Sequence, residues 1–513
     1  MNEKLCIGGG MVRLFKGKRE MDSGSFQVTS KDFQELLKKF KGSNDFLTFQ
    51  FPNDDGYTIS YFNSLVSVQQ LHEQVLAVMS NQPKKVLKQL KGDIPMEDMK
   101  LTADLKDIQR LVLAGSIMIQ YKQDDEMCLL IPCVHSVKRQ ISTPESEYTV
   151  VGSKEAFVES LDSNLNLVRN RLPTPELQSK EFRVGSISQT RIAVLYIDGV
   201  VNQQNINTVI QRIEDIEYDT IVDISFVSQM ITDNRNSMFP QLIDTERPDH
   251  LASVLSEGKI GIMLDGSPHA LVGPNTIISF FSSFEDYFQI WNLGTSFRLI
   301  RLFAVLFSVL SSPLYVAVLT YHYQVIPTDL LPILISSRGV IPFPPILEAI
   351  VLEGTIELLR EAAVRLPAKV GSTIGIVGGI VIGTAAVEAG FVSNVLLMLV
   401  ALAALASFTV PIYQISNTIR LIRFPFLIAA QLYGLFGIAL CSAFILSHLL
   451  KLTSLGSPYL DPLYPLRIHD FKDSLIRLPF SKQKKRPQFL RTENPLRIRK
   501  EAEKRNIRND IDE

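Results

Sequence analysis

Residues 338–411 read RGVIPFPPILEAIVLEGTIELLREAAVRLPAKVGSTIGIVGGIVIGTAAVEAGFVSNVLLMLVALAALASFTVP. Three objects lie end to end in this stretch. Pro342, Pro344 and Pro345 open it and stop any helix that arrives from upstream. From about 346 to 366 the pattern is helical and mostly apolar, but it carries Glu348, Glu353, Glu357, Arg360, Glu361 and Arg365. The last five recur at helical spacing and form one polar stripe. Two charge-free runs follow, Val370–Val387 and Ala389–Ile419. The first is long enough for a short or tilted membrane span, and the second exceeds what a span needs. Carboxylates beside membrane helices must face protein, water or ions, because facing lipid costs too much.

Working outward, the chain of 513 residues divides sharply in composition, although its formal net charge is only −1. Residues up to 297 read as water-soluble, 298–450 as membrane, and 451–513 as a basic tail. Arg298 and Arg301 precede the charge-free run Leu302–Thr328. Spans are expected at about 302–321, 371–389, 393–410 and 425–449, with an amphipathic helix at 346–366. Arg420 and Arg423 read as a short polar connection before the last span, and Arg360, Arg365 and Lys369 fall on the far side. The N-terminus has no apolar core of signal-peptide length, and the basic tail adjoins the last span, so both ends are expected in the cytoplasm. Four crossings satisfy that parity, leaving the striped helix re-entrant, interfacial or buried in an assembly.

The expected fold class is therefore multi-domain, a cytoplasmic α/β region of two subdomains followed by an α-helical transmembrane domain. Residues 1–30 are Gly-rich and polar and are expected to be disordered. Subdomain 1 covers 31–140, with strands at 46–51 and 57–62, helices at 66–79 and 105–113, and a hairpin of 116–121 with 127–133. Subdomain 2 with its junction covers 141–297. Ser153 is expected to open a helix through Arg171, and the apolar strand Arg191–Ile197 followed by a helix at 202–216 predicts a βαβ-like unit. Pro248 and Gly258 bracket a short helix, and Asp265-Gly266-Ser267-Pro268 turns a hairpin. The aromatic-rich FFSSFEDYFQIW at 280–291 suits a membrane interface.

No catalytic pattern accompanies this. Asp265 reads as a turn residue, His250 and His269 as surface or turn positions, and Gly8-Gly9-Gly10 lacks the flanking strand and helix of a phosphate loop. Cys6, Cys128, Cys133 and Cys441 are scattered without disulfide or metal spacing. No enzyme, cofactor, metal or nucleic-acid partner is expected.

In the membrane region Gly371, Gly375, Gly379 and Gly383 repeat every four residues and predict a face for close helix packing, against the same chain, another copy or a different subunit. Glu388 closes that span, either as an intramembrane carboxylate or snorkelling to the interface. The stripe of Glu348, Glu353, Glu357 and Glu361 has two readings. It lines a cation path in an oligomer, or Glu357 with Arg360 and Glu361 with Arg365 make pairs along one helix.

PFPPILEAIVLEGTIELLREAAVRLP, GSTIGIVGGIVIGTAAVEAGFVS, DTERPDHLASVLSEGKIGIMLDGSPHALVGP and GSKEAFVESLDSNLNLVRNRL together resemble the A-subunit family of spore germination receptors (GerA-type) of endospore-forming bacteria. The likeness covers about residues 130–450. It implies a membrane subunit of a nutrient germinant receptor in the inner spore membrane, with a B subunit of amino-acid-transporter type and a C-subunit lipoprotein as companions. The family triggers release of ions and stored solutes. Two functions follow: nutrient-gated ion release through an oligomeric pore, or a non-conducting sensor or scaffold whose soluble region binds ligand or partner subunits.

Overall fold

The computed structural model describes residues 30–51, 56–80, 87–121, 127–134, 144, 147, 149–365, 379, 381, 383–467 and 470–497. The expected disordered stretch 1–30 falls, but for Ser30, outside them.

Subdomain 1 is a five-stranded sheet of order β1-β2-β4-β5-β3. Its strands are β1 (Phe46–Gln50), β2 (Tyr57–Phe62), β3 (Lys100–Thr102), β4 (Ser116–Tyr121) and β5 (Cys128–Pro132), and every pairing is antiparallel. Side chains alternate across it as a strand demands. Ile59, Ile117, Ile119, Leu129 and Ile131 enter one core. Phe46, Phe62, Met118, Cys128 and Leu130 enter the other, under helices α1 (Ser30–Lys41) and α2 (Leu105–Leu113).

Subdomain 2 repeats the plan with order β6-β7-β9-β10-β8. The strands are β6 (Leu177–Val184), β7 (Thr190–Ile197), β8 (Ile243–Thr245), β9 (Ile260–Leu264) and β10 (Ala270–Gly273). The βαβ expectation fails here, because β7 and β9 are antiparallel. Helices α4 (Gln203–Glu214) and α5 (Ile224–Ile231) lead to edge strand β8. The strand looked like a parallel one because both of its faces are covered. Ile192, Val194 and Tyr196 pack under α4 and α5, while Ala193, Leu195 and Ile197 pack under α3 (Leu161–Arg171) and α6 (Pro248–Glu257).

Helix α3 starts later than expected. Phe157 is held in an extended segment by its N–H to Glu246 O (2.8 Å), and Ser160, not Ser153, caps the helix. Gly258 does end α6 in a left-handed conformation (φ 101°).

The two sheets meet at a buried ion pair. Arg169 on α3 gives Nε to Asp45 Oδ2 (2.7 Å) and Nη2 to Asp45 Oδ1 (2.6 Å). Ser43 and Ser64 hydroxyls each donate to Asp45 at 2.7 Å, and the guanidinium lies 4.3 Å from the centre of the Phe62 ring. Both residues are at most 4% exposed.

The helical layer contains α7 (Trp291–Tyr321), α8 (Leu331–Arg338), α9 (Pro345–Val364), α10 (Asn394–Ser407) and α11 (Tyr413–Lys451). Two of these elements, α7 and α11, are long and apolar enough to cross a membrane. The single span expected at 425–449 is corrected by α11, which folds back on itself. Thr418 Oγ1 donates to Met238 O (2.6 Å), and His448 Nε2 lies 3.0 Å from Ser237 Oγ. In a straight helix those two residues would stand about 45 Å apart. The reversal is at Gly434 (φ 60°, ψ −137°). A Cβ on Gly437 would stand 2.0 Å from Ala429 O, a proximity that only a reversed chain produces. Tyr321 Oη donates to the carbonyls of Gln431 (2.9 Å) and Leu432 (3.3 Å), which the end of the first arm leaves without helical partners. Thus the foot of α7 and both ends of α11 face subdomain 2, while Tyr321 and Gly434 share the far end.

Residues 452–497 do not trail away as a tail. Leu455 enters the α4/α5 core. Tyr459 is buried with its hydroxyl on Pro240 O (2.7 Å), Glu493 N–H reaches Val200 O (3.1 Å), and Arg497 pairs with Glu257 (2.9 Å). This strap ties α11 to subdomain 2.

Candidate functional site

Four residues of α7, α9 and α11 converge inside the helical layer. Glu353 is 2% exposed and accepts from Ser312 Oγ (2.7 Å) and from Arg423 Nη1. Arg423 Nη2 donates to Ser308 Oγ (2.8 Å). The helical rise gives their position along the helices. From Leu302 to Tyr321 is about 30 Å, the thickness of a bilayer's hydrocarbon, and Ser312 lies halfway. Arg423 is likewise midway along the first arm of α11, between Tyr413 and Gly434.

The remaining stripe residues grade outward from this centre. Glu348, farther from subdomain 2, is buried, lies 3.0 Å from Arg338 Nη2 and accepts the Ser393 N–H (3.3 Å). Ser393 also shares a hydrogen bond with Tyr315 Oη (2.9 Å). Toward subdomain 2, Glu357 is partly exposed, with Oε2 4.0 Å from Arg420 Nη1. Arg360 sits over the rings of Phe408 and Tyr413 (5.5 and 5.6 Å). Glu361 and Arg365 pair at 2.5 Å in the open.

The structure thus divides the acidic stripe. Its deep members are answered by arginines from other helices, and only Glu361–Arg365 is a pair along α9 of the kind expected. Arg420 and Arg423 are not a polar connection, since both are buried within α11. Nor does Arg360 face the far side, because Tyr413, over which it sits, opens the end of α11 bound to Met238. Sequence reasoning missed Arg338, Arg420, Arg423, Ser308 and Ser312. A signal was present: Glu353 and Glu357 at i,i+4 match Arg420 and Arg423 at i,i+3, so two helical faces of opposite charge are available to meet.

Of the glycine stripe, Gly371 and Gly375 lie outside the described residues. A Cβ on Gly379 would meet nothing within 4 Å, and one on Gly383 would make ordinary contact with Leu397 at 3.7 Å. At these two positions no close backbone partner is found among the described residues of the chain. Glu388 is exposed. In subdomain 2 Asp265 Oδ1 accepts the Leu161 N–H (3.0 Å) and helps start α3. His250 stacks on Phe284, and His269 lies 3.6 Å from Glu246. Among the described residues no group of three His, Cys, Asp or Glu side chains is arranged to hold a metal.

A family profile described as Bacillus/Clostridium GerA spore germination protein matches residues 34–489. The chain is 51% identical over 487 residues to spore germination protein GerQA of Bacillus cereus, covering 94% of this chain and 98% of that one. Identity to spore germination protein GerIA of Bacillus cereus is 45%, over 87% of this chain and 67% of the relative. Spore germination protein KA of Bacillus subtilis is 35% identical over 86% of this chain and 81% of its own length. Among solved structures, the N-terminal domain of the A subunit of the Bacillus megaterium spore germinant receptor GerK3 is 23% identical with a TM-score of 0.36, covering 48% of this chain and 94% of that one.

Proposed function

The chain belongs to the GerA family of spore germination proteins, and from that membership we propose that it is the membrane subunit of a nutrient germinant receptor whose helical layer releases ions through an oligomeric pore. Its role in germination follows from the family. The observation that carries the pore is the Glu353–Arg423 pair at mid-depth, because ionisable side chains held there mark ion paths. The pair also supplies a gate. In one chain the deep carboxylates are neutralised, so the path is closed; drawing α9 away from α11 frees Glu353 and Glu357 to face cations, as acidic rings do. Nutrient binding biases that equilibrium.

In this reading α9, about 30 Å long, crosses the bilayer, rather than being re-entrant, interfacial or buried in an assembly as the parity of four crossings left it. With the charge-free run at 370–387 as a further crossing, the number of passes is even and both ends stay cytoplasmic. Copies associate through the face of Gly371, Gly375, Gly379 and Gly383, where Gly379 is open to a neighbour. A transporter-type B subunit and a C-subunit lipoprotein complete the receptor in the inner spore membrane.

Potassium efflux from germinating spores tests the pore. Glu357→Gln and the paired Glu353→Gln/Arg423→Gln, which leaves the site uncharged but hydrogen-bonded, are expected to slow efflux or change its ion selectivity. Unchanged efflux and selectivity at normal protein level would remove the assignment.

A second reading, a non-conducting scaffold, draws support from Asp45–Arg169, which locks the two sheets into one body. Nutrient binding by residues 31–280 alone discriminates a sensor from a scaffold.

A further inference from the structure

The foot of α7 and the strap are joined around Arg477. Arg477 is 3% exposed and donates Nη1 to Asp286 O (2.6 Å) and Nη2 to Tyr287 O (2.8 Å). Its own carbonyl accepts from Thr295 Oγ1 (3.3 Å), and Arg298 Nη1 reaches Ser474 O (3.3 Å). The guanidinium lies between the rings of Tyr287 and Phe480, at 5.5 and 5.2 Å. The strap at 474–480 is therefore fixed against the first two turns of α7.

The helical rise gives this join a depth. If Leu302 marks the edge of the hydrocarbon, Arg298 lies about 6 Å outside it and Gly294 about 12 Å outside. The headgroup zone is roughly 5–8 Å deep on each side. Of the exposed apolar side chains on α7, Phe297 falls within that zone, about 8 Å outside the edge, while Leu293 and Trp291 stand farther out; Ile476 and Phe480 of the strap are also turned outward. Farther along α7, Ile300 and Phe303 of the span are exposed as well. Lys482, Lys484 and Lys485, all exposed, follow Phe480 directly. Aromatic rings with lysines beside them suit a layer that is apolar on one side and anionic on the other.

We propose that the strap segment around Ile476–Lys485 and the foot of α7 form an interfacial platform that lies in the headgroup layer of an anionic bilayer, with Phe480 inserted and the lysines on phosphates. It rests on α7 being a membrane span. The last membrane helix and the soluble subdomain would then both be referenced to the bilayer surface through Arg477.

Trp291 is the single tryptophan of the chain, which makes depth measurable. The full chain is reconstituted into phosphatidylcholine vesicles with or without phosphatidylglycerol, as Trp291→Phe/Phe480→Trp and as Trp291→Phe/Phe303→Trp. Lipids brominated near the headgroup end of the acyl chain serve as quenchers. The residue introduced at 480 is expected to emit to the blue and to be quenched by these lipids, more strongly when phosphatidylglycerol is present. Equal quenching in both bilayers would overturn the anionic-lipid assignment. Quenching at 303 with iodide-accessible, unquenched emission at 480 would overturn the platform and reserve that face for a protein partner. Absence of quenching at 303 as well would instead sink the span on which the proposal rests.

Discussion

Arg169→Met removes the cation from the buried junction of the two sheets and leaves Asp45 behind. In the native protein Arg169 makes two hydrogen bonds to that carboxylate, one to Ser43 Oγ (2.8 Å) and one to Leu177 O (3.4 Å). Breaking one side of such a pair costs about 3–5 kcal/mol, since the other charge stays buried without its partner. Amide exchange of α3 and β1 in the full-length protein reads this as local opening. The expected loss of protection is roughly 10²–10⁴-fold at neutral pH. The pH dependence adds a second constraint. Burial pushes the Asp45 carboxyl up, but the Arg169 charge and the hydrogen bonds from Arg169, Ser43 and Ser64 outweigh it and hold the carboxyl below its ordinary value. Native stabilisation is therefore complete above about pH 4 and is lost as pH falls through the lower folded value. In the variant the cation is gone and burial dominates, so the folded form takes up a proton more readily than the unfolded one. Its stability rises as pH falls, and the gap between the two proteins narrows toward acid. A loss of protection under tenfold, or a gap independent of pH, would refute the argument.

Gly437→Ala places a Cβ on the Ala429 carbonyl, and Gly434→Ala forces a left-handed residue to 2.8 Å from His322 Nε2. Each is expected to cost about 3 kcal/mol and to lower the melting temperature in detergent, whereas Leu440→Ala on an exposed face is expected to have little effect. A single straight helix would tolerate both glycine changes. Glu361→Gln breaks an exposed i,i+4 pair worth about 0.3–0.5 kcal/mol, so protein level and melting temperature should stay at wild type. A large drop would mean that Glu361 is buried against a partner.

Much of the α/β region is legible because strands and turns announce themselves locally. The hairpins at 116–132 and 260–273 follow from apolar runs around polar turns, and Pro248 and Gly258 bracket α6 by backbone chemistry alone. Strand direction is different. A strand buried on both faces carries the same apolar run whether its neighbour is parallel or antiparallel, so β7 suggested a βαβ unit that does not form. The fold-back of α11 is hidden for a related reason. Gln431 alone interrupts the apolar run near the turn at Gly434, too little to divide it, and hydropathy averages straight across it.

The chain's sequence by itself determined that there are two apolar-cored α/β units, a set of long apolar helices, and an acidic helical face that cannot be left to an apolar surrounding. Those are consequences of local propensity and of transfer energies, which each segment carries with it. Only the tertiary structure decided what answers the carboxylates. Arg423 is 70 residues from Glu353 and Arg338 is in another helix, and nothing in either segment alone fixes their meeting. A buried charge demands a counter-charge, but which one arrives depends on how the helices are packed.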